Sequence, residues 1–208
     1  NTDVFRLPTL AERQAAREFR GIHDETFHLV YAGRWIANKG ITQTVRCLNR
    51  WPLQNVLFTL IGDFEPDFFI SQNGGLHTTF QDFFQREVKE RSPYMPIRYE
   101  QPVRQETLAK HLWSADVFIY PSFHEDEASG NAAHEAVLCG VPSIVSDWCG
   151  LGQLGLNTRG GAIRTYPSLG GVRYSLRALR DRIGSLAEES KIANDETRRA
   201  DADWVQTE

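Results

Sequence analysis

Two glutamates, Glu127 and Glu135, lie with seven residues between them in a segment that joins a predicted strand to a predicted helix. The strand is the apolar run Val117–Tyr120, and the helix should begin near Asn131, a favourable N-cap residue, and end at Gly140. The first N–H groups of such a helix face the loop at the carboxyl end of the strand, so they can bind an anion. Glu135 would lie about one turn inside the helix, where its carboxylate can accept hydrogen bonds from ligand hydroxyls.

Two cations, Arg34 and Lys39, lie in an earlier strand-to-helix loop. This loop begins at Gly33, directly after the predicted strand Phe27–Ala32, and Lys39 is followed by Gly40. In a parallel sheet with right-handed crossovers, the strand-to-helix loops all reach the same edge of the sheet. We therefore expect the two cations and the two glutamates to lie along one edge.

Predicted strands and helices alternate along most of the chain. The strands are expected at residues 27–32, 56–61, 97–100, 117–120, 142–147 and 162–166. The helices are expected at residues 41–51, 76–91, 106–115, 131–140 and 172–186. This alternation predicts an α/β fold, Rossmann-like and in three layers (α/β/α), with a parallel sheet covered by helices on both faces.

The two ends of the chain differ from this central region. A capping box at Thr9 predicts a first helix with Leu10, Phe19 and Ile22 on one face, and the chain opens without a start signal. We therefore predict that residues 1–26 are a linker and helix from a missing N-terminal domain. Residues 27–187 form the Rossmann-like domain, and residues 188–208 are a charged C-terminal helix or tail.

Composition excludes several classes of protein. The net charge of −4 argues against nucleic-acid binding, and no apolar run approaches the roughly 20 residues that a transmembrane helix requires. Cys47, Cys139 and Cys149 fit neither a paired disulfide framework nor a metal motif. We expect reduced thiols, no metal and a cytoplasmic protein, with peripheral membrane contact only through the missing domain.

Two motifs resemble those of retaining GT-B glycosyltransferases of the GT4 group. The E-x7-E signature of that group resembles the run Pro121-Ser122, Glu127, Gly130, Glu135-Ala136 and Cys139-Gly140-Val141-Pro142. Its clamp for the donor diphosphate resembles Gly33-Arg34-x-x-x-x-Lys39-Gly40. The resemblance implies the C-terminal, donor-binding half of a GT-B fold. Such an enzyme transfers a hexosyl group from a UDP-, GDP- or ADP-sugar without a cofactor, and its N-terminal domain holds the acceptor.

The resemblance also implies roles for individual residues. Arg34, Lys39 and Glu127 would be catalytic, because two fixed cations stabilise the charge on a departing diphosphate. Glu135 would bind the ribose hydroxyls. The remaining substrate-binding positions would be Gly33, Val103, Ala128, Ser129, Gly130 and Asn131. The family usually has Gly-Phe-Gly-Leu at 128–131, and this chain keeps only the second glycine, which leaves the donor sugar open.

Other functions fit parts of the same pattern. GT-B sugar-nucleotide epimerases and phosphorylases share the architecture, and a non-catalytic nucleotide-binding module is a further alternative.

The run from Gly150 to Gly155 matches G-x-G-x-x-G, but we expect no helix after it and find no acidic residue about 20 positions on, so a dinucleotide site is not predicted. His124 and His134 flank the acidic loop without a nucleophile partner, and we predict structural roles for them.

Overall fold

The computed structural model describes residues 2–51, 53–65, 68–69, 78–91, 96–124, 127–169, 171–190 and 199. The strands in these residues are β1 (Phe27–Ala32), β2 (Val56–Ile61), β3 (Phe68–Phe69), β4 (Thr78–Thr79), β5 (Ile97–Glu100), β6 (Val117–Tyr120), β7 (Ser143–Ser146), β8 (Ala162–Ile163), β9 (Thr165–Ser168) and β10 (Gly171–Tyr174). The helices are α1 (Leu10–Phe19), α2 (Ile41–Arg50), α3 (Phe80–Arg91), α4 (Gln105–Ser114), α5 (Asn131–Leu138), α6 (Leu151–Leu156) and α7 (Leu176–Ser190). None of these helices is long and apolar enough to cross a bilayer.

The central sheet of the described residues has six strands in the order β5-β2-β1-β6-β7-β8, and its pairs are parallel. Every residue of β1, β2, β6 and β7 is buried. Continuous apolar strands are typical of a parallel sheet that helices cover on both faces. The predicted α/β fold with a parallel sheet is therefore confirmed.

The strand order reverses between β1 and β6. From β1 the chain proceeds to β2 and β5 on one side, whereas β6, β7 and β8 follow on the other side. The loops that leave β1 and β6 therefore meet at the carboxyl edge of the sheet, and such a reversal of strand order is where open α/β sheets bind ligands.

The helices differ from the sequence expectations in three places. Gly130, not Asn131, is the N-cap of α5, and Asn131 is the first helical residue. A short helix that was not predicted, α6, lies within the run from Gly150 to Gly155, and the next element is β8, so no helix follows the run, as expected. Helix α7 begins at Leu176, because Val172 lies in β10, which pairs with β9 in an antiparallel hairpin.

The predicted last strand at residues 162–166 is divided in the structure. Arg164 separates β8, the edge strand of the central sheet, from β9 of the hairpin. The chain thus leaves the sheet one residue after β8 instead of continuing along it. The hairpin returns the chain to the start of α7, which packs against α2.

Helix α1 has the predicted capping box, but its predicted inward face is wrong. Leu10 and Phe19 are 65% and 87% exposed, whereas Ile22, which follows the helix, is buried. The buried residues of the helix itself are Ala16 and Arg17. Arg17 donates to Asp116 Oδ2 at 3.1 Å, and Arg13 donates to Asp116 Oδ1 at 2.6 Å. These ion pairs replace apolar contacts as the anchor of α1.

The segment before residue 26 packs on the domain instead of extending away from it. Phe5 is fully buried in the core, and α1 packs against α4. Its assignment to a preceding domain, like the boundary at residue 187, stays a prediction. Of the predicted tail, residues 191–198 and 200–208 lie outside the described part of the chain.

A buried polar network fills the amino edge of the sheet. The Nδ1 and Nε2 atoms of His28 lie 3.1 Å from the carbonyl oxygen of Ser114 and 2.8 Å from Thr59 Oγ1. The backbone N–H of His28 donates to Asp116 at 2.9 Å. Burial lowers the pKa of His28 to about 3, so the imidazole is neutral at ordinary pH.

Candidate active site

Lys39 and Glu127 form a buried ion pair at the point where the strand order reverses. Lys39 Nζ lies 2.5 Å from Glu127 Oε2, and the side chains are only 7% and 8% exposed. Lys39 comes from the loop after β1 and Glu127 from the loop after β6. The structure therefore brings together two residues that are 88 positions apart in the sequence, as the sequence analysis expected of neighbouring loops.

Backbone contacts hold the two loops against each other. Gly40 caps α2 with a left-handed φ of +76°, and a Cβ atom there would lie 2.5 Å from the carbonyl oxygen of Pro121. Only glycine fits this close approach without strain. Nearby, the N–H of Phe123 donates to the carbonyl oxygen of Asn38 at 2.8 Å. These contacts fix Lys39 next to the loop that carries Glu127.

The surroundings of Glu127 favour its ionised form. Burial opposes ionisation, but hydrogen bonds from Lys39 and Ser122 outweigh it and hold the pKa of the carboxyl below its ordinary value. The Tyr120 hydroxyl acts in the same direction and also lowers the pKa of Glu127. The pair is thus a fixed cation beside a fixed carboxylate, with a net charge near zero.

Arg34 lies on the exposed side of the same loop. Its guanidinium donates to Glu65 at 2.9 Å, and its side chain is 54% exposed. The Glu65 carboxylate raises the pKa of Arg34. The loop itself is anchored from below, because the Tyr31 hydroxyl donates to the carbonyl oxygen of Arg34 at 2.8 Å.

The loop of residues 127–130 leads into α5. Gly130 has a left-handed φ of +67°, and a Cβ atom there would lie 2.4 Å from Leu151 Cδ2. Ser129 and Asn131 are exposed, and the Ser129 hydroxyl lies 3.4 Å from Asn131 Oδ1. The N–H groups of the first helical turn point toward the carboxyl edge of the sheet, where they can bind an anion.

Glu135 and Val103 lie farther from the ion pair along the chain. Glu135 is half-buried in the second turn of α5, and burial raises its pKa. Val103 follows β5, which lies two strands, roughly 10 Å, from β1, and its half-buried side chain packs against the core. The role of each in binding a substrate stays a prediction, as does that of Gly33, Ala128, Ser129, Gly130 and Asn131.

Sequence reasoning missed three side chains that touch the candidate residues, namely Tyr31, Tyr120 and Glu65. Tyr120 ends an apolar strand and Tyr31 is the last residue but one of another, so neither could be distinguished there from ordinary core residues. Glu65 lies in a loop whose course follows from no local signal. Among the described residues, no group of three His, Cys, Asp or Glu side chains could hold a metal ion.

The fold is a Rossmann-like α/β domain that solved glycosyltransferases share. It superimposes on three solved structures over the whole chain. They are sucrose-phosphate synthase from Thermosynechococcus elongatus (TM-score 0.75, 21% identity, 46% of that chain), HepE from Anabaena in complex with UDP and glucose (0.74, 17%, 50%) and the C-terminal domain of LpcC, a glycosyl transferase group 1 protein from Francisella tularensis (0.74, 16%, 97%).

Sequence comparison gives the family. The profile of the family described as glycosyl transferases group 1 matches residues 12–161, and the chain belongs to this family. It is similar to D-inositol 3-phosphate glycosyltransferases from Paenarthrobacter aurescens (28% identity over 145 residues, 68% of this chain) and Pseudarthrobacter chlorophenolicus (29% over 159 residues, 74%). The matched regions cover 32% and 34% of those two proteins, so the chain spans about a third of their length.

Proposed function

We propose that this chain is the nucleotide-sugar-binding domain of a retaining glycosyltransferase that transfers a hexosyl group from a nucleoside-diphosphate sugar. The acceptor would be held by another domain, and the isolated domain would transfer little or nothing. The observation that carries the proposal is the buried pair of Lys39 and Glu127 at the reversal of strand order. Membership of the family supports it, since the group consists of glycosyl transferases.

The two cations have different tasks in this proposal. Lys39 is buried and fixed, so it can stabilise charge that develops on the departing diphosphate without reorganisation. The pair of Arg34 with Glu65 is exposed, and such pairs contribute only about 0–1 kcal/mol. Arg34 can therefore exchange Glu65 for a phosphate oxygen at little cost.

The acidic residues and the helix end complete the proposed donor site. Glu127 would lie beside the donor sugar, and the first turn of α5 would add N–H groups to the diphosphate. Glu135, one turn further along α5, would accept hydrogen bonds from the ribose hydroxyls. Gly33, Ala128, Ser129, Gly130, Asn131 and Val103 would line the same site.

We infer a UDP-sugar as the first donor to test. The structures of HepE were solved with UDP, with UDP and glucose and with UDP-glucose. Selection of the acceptor would belong to the other domain. A cytoplasmic location, with membrane contact through that domain, stays a prediction.

The test is calorimetric titration of the domain with UDP, GDP and ADP. We expect one of the three to bind, and we expect Arg34→Ala and Glu135→Ala each to weaken binding by about 10- to 150-fold, the usual effect of losing a hydrogen bond to a charged group. Arg177→Ala is the matched control, because Arg177 is 80% exposed on α7. If Arg34→Ala and Glu135→Ala bind the nucleotide as tightly as Arg177→Ala does, the site assignment is refuted. If the wild-type domain binds none of the three nucleotides, the proposed function is refuted.

A further inference from the structure

Tyr120 lies at the centre of the candidate site, beneath both loops. It is the last residue of β6 and is 6% exposed. Its ring centroid lies 5.3 Å from Lys39 Nζ, which pairs with Glu127 at 2.5 Å, and its hydroxyl is among the groups that lower the pKa of Glu127. The ring also lies 3.4 Å from the positions that a Cβ atom would occupy at Gly33 and at Gly130.

Two stacked rings keep Tyr120 in place. Its ring centroid lies 5.6 Å from that of Tyr31 with an interplanar angle of 17°, and 6.1 Å from that of Phe118 with an angle of 15°. Tyr31 and Tyr120 are called the tyrosine stack below. Because Tyr31 holds the backbone of Arg34 and Tyr120 contacts Lys39, the stack supports both cations of the proposed clamp.

We propose that Tyr120 is a positioning residue of the donor site. Its ring face holds the Lys39 ammonium beside the Glu127 carboxylate, so that an incoming diphosphate meets an ordered pair. This inference rests on the proposed function.

The chemistry of the two contacts supports this role. An ionised carboxylate only accepts hydrogen bonds, so the tyrosine hydroxyl is the donor. Burial and the charge of Glu127 raise the pKa of Tyr120, which keeps its proton in place. An ammonium over an aromatic face is attracted by the negative face of the ring, most strongly where water is excluded.

The groups that act on Glu127 come from several elements. They are Lys39, Tyr120 and Ser122, together with Tyr31 of the tyrosine stack and His124, whose carbonyl oxygen accepts from the Glu127 N–H. Arg34 acts on the two tyrosines of the stack. Removing the Tyr120 hydroxyl takes away one donor that favours the ionised carboxylate. The pKa of Glu127 should then rise toward its ordinary value.

This change has a consequence for ligand binding. Protonation of Glu127 frees Lys39 for the ligand, so the affinity for UDP-glucose should increase as the pH falls through the pKa of Glu127. That increase lies below the ordinary glutamate value of 4.5 in the wild-type domain, because the pKa is lowered there. In Tyr120→Phe it should begin at a higher pH.

The test is a double-mutant cycle in the 208-residue chain, with UDP-glucose as the probe. Tyr120→Phe removes only the hydroxyl, so we expect it to lower affinity about 3- to 10-fold at neutral pH, because an ordered pair must now be fixed on binding. In a Glu127→Gln background the same change should have an effect of less than about twofold, because the two residues act together. Tyr120→Leu, which also removes the ring face, should lower affinity further. Tyr166→Phe, on an exposed residue of β9, is the control.

The outcomes separate this inference from the proposed function. If UDP-glucose binds and Tyr120→Phe acts equally in both backgrounds, with the acid-side increase in affinity unmoved, then Tyr120 is only a packing residue and the inference is wrong. Coupling of the two variants together with the shifted pH dependence would support it. If the wild-type domain binds neither UDP nor UDP-glucose, the proposed function fails first. If the ligand does not bind, the melting temperatures of the wild type and Tyr120→Phe, measured at acidic pH, still test whether the Tyr120 hydroxyl lowers the pKa of Glu127.

Discussion

Replacing Glu127 with glutamine should weaken the free domain and strengthen its binding of a diphosphate. Glutamine keeps the shape of the side chain and one acceptor oxygen, but it removes the charge that balances Lys39. Lys39 is 5% exposed, so the variant retains a buried ammonium without a counter-charge. Breaking a buried pair on one side typically costs about 3–5 kcal/mol, and we expect the lower end because the amide oxygen still accepts. For a chain of this size that corresponds to a melting temperature lower by about 6–12 °C.

Binding should change in the opposite direction. In the wild-type domain a diphosphate approaches a pair with no net charge, whereas in the variant it approaches an unbalanced cation. Two unit charges about 4 Å apart near a protein surface interact by about 4 kcal/mol. Part of this is lost to screening, so we expect UDP to bind about 5- to 150-fold more tightly, a gain of about 1–3 kcal/mol. In a full-length enzyme the variant should bind donor well and transfer slowly, because tighter ground-state binding does not accelerate the reaction.

Thermal unfolding with and without UDP measures both effects in one assay. Ligand that binds only the folded state raises its stability in proportion to the logarithm of ligand concentration over Kd, so UDP should restore much of the stability that Glu127→Gln loses. Glu25→Gln, on an exposed residue, is the control and should behave as the wild type. If the variant gains no more stability from UDP than the wild type does, Lys39 does not meet the diphosphate, and the reasoning from the ion pair is refuted.

Three further predictions concern the scaffold. Gly40→Ala should lower the free energy of unfolding by more than about 1 kcal/mol and weaken UDP binding, because its Cβ would lie 2.5 Å from a carbonyl oxygen at a positive φ. Gly184→Ala in α7, where nothing lies within 4 Å of the new Cβ, should raise the free energy of unfolding by about 0.5–1 kcal/mol. Denaturant unfolding measures both changes. Asp116→Asn should cost about 3–5 kcal/mol by leaving the buried Arg17 without its counter-charge, yet UDP affinity should be unchanged because Asp116 lies at the other edge of the sheet. The pKa of His28 falls from 6.5 to about 3 on folding, so the unfolded chain takes up a proton first as the pH drops. The free energy of unfolding should therefore fall between pH 6.5 and about 3. His28→Gln should reduce this pH dependence in unfolding curves recorded across that range.

Strands β1, β2 and β6 were predictable because each is a short, largely apolar run. The predicted bounds of β1, β2, β5 and β6 are those of the structure. Since a parallel sheet places successive strand-to-helix loops on one edge, the meeting of Lys39 and Glu127 could also be expected from the order of the elements. Their pairing at 2.5 Å could not, because the sequence shows which edge a residue occupies but not which partner it meets there.

The errors share a physical origin in tertiary contacts that override local preference. Asn131 is a favourable cap, but the left-handed turn needed to pass Leu151 selects Gly130 for that position. Leu10 and Phe19 fit an apolar face, yet α1 is anchored by the arginines that reach Asp116, so its apolar residues remain outside. Arg13 and Arg17 stand four residues apart, which is also the spacing of an ordinary solvated helix face, so the sequence does not show that this face is the inward one.

The described residues include two buried charge clusters, the Lys39–Glu127 pair and the Asp116 cluster with Arg13 and Arg17. They differ in whether a ligand could take the place of one of the charged groups. A buried ion pair is by itself weak support for stability, because the cost of desolvation can exceed the attraction. Arg17 in the Asp116 cluster also donates to the backbone carbonyl oxygens of His23, Thr26 and Ser114, so it joins α1 to the sheet and has no simpler substitute. Lys39 instead meets one carboxylate and one ring face, beside a helix N-terminus and an exposed arginine. A ligand with two negative charges can take the place of that carboxylate, and this is why we assign the Lys39–Glu127 pair to binding and the Asp116 cluster to folding.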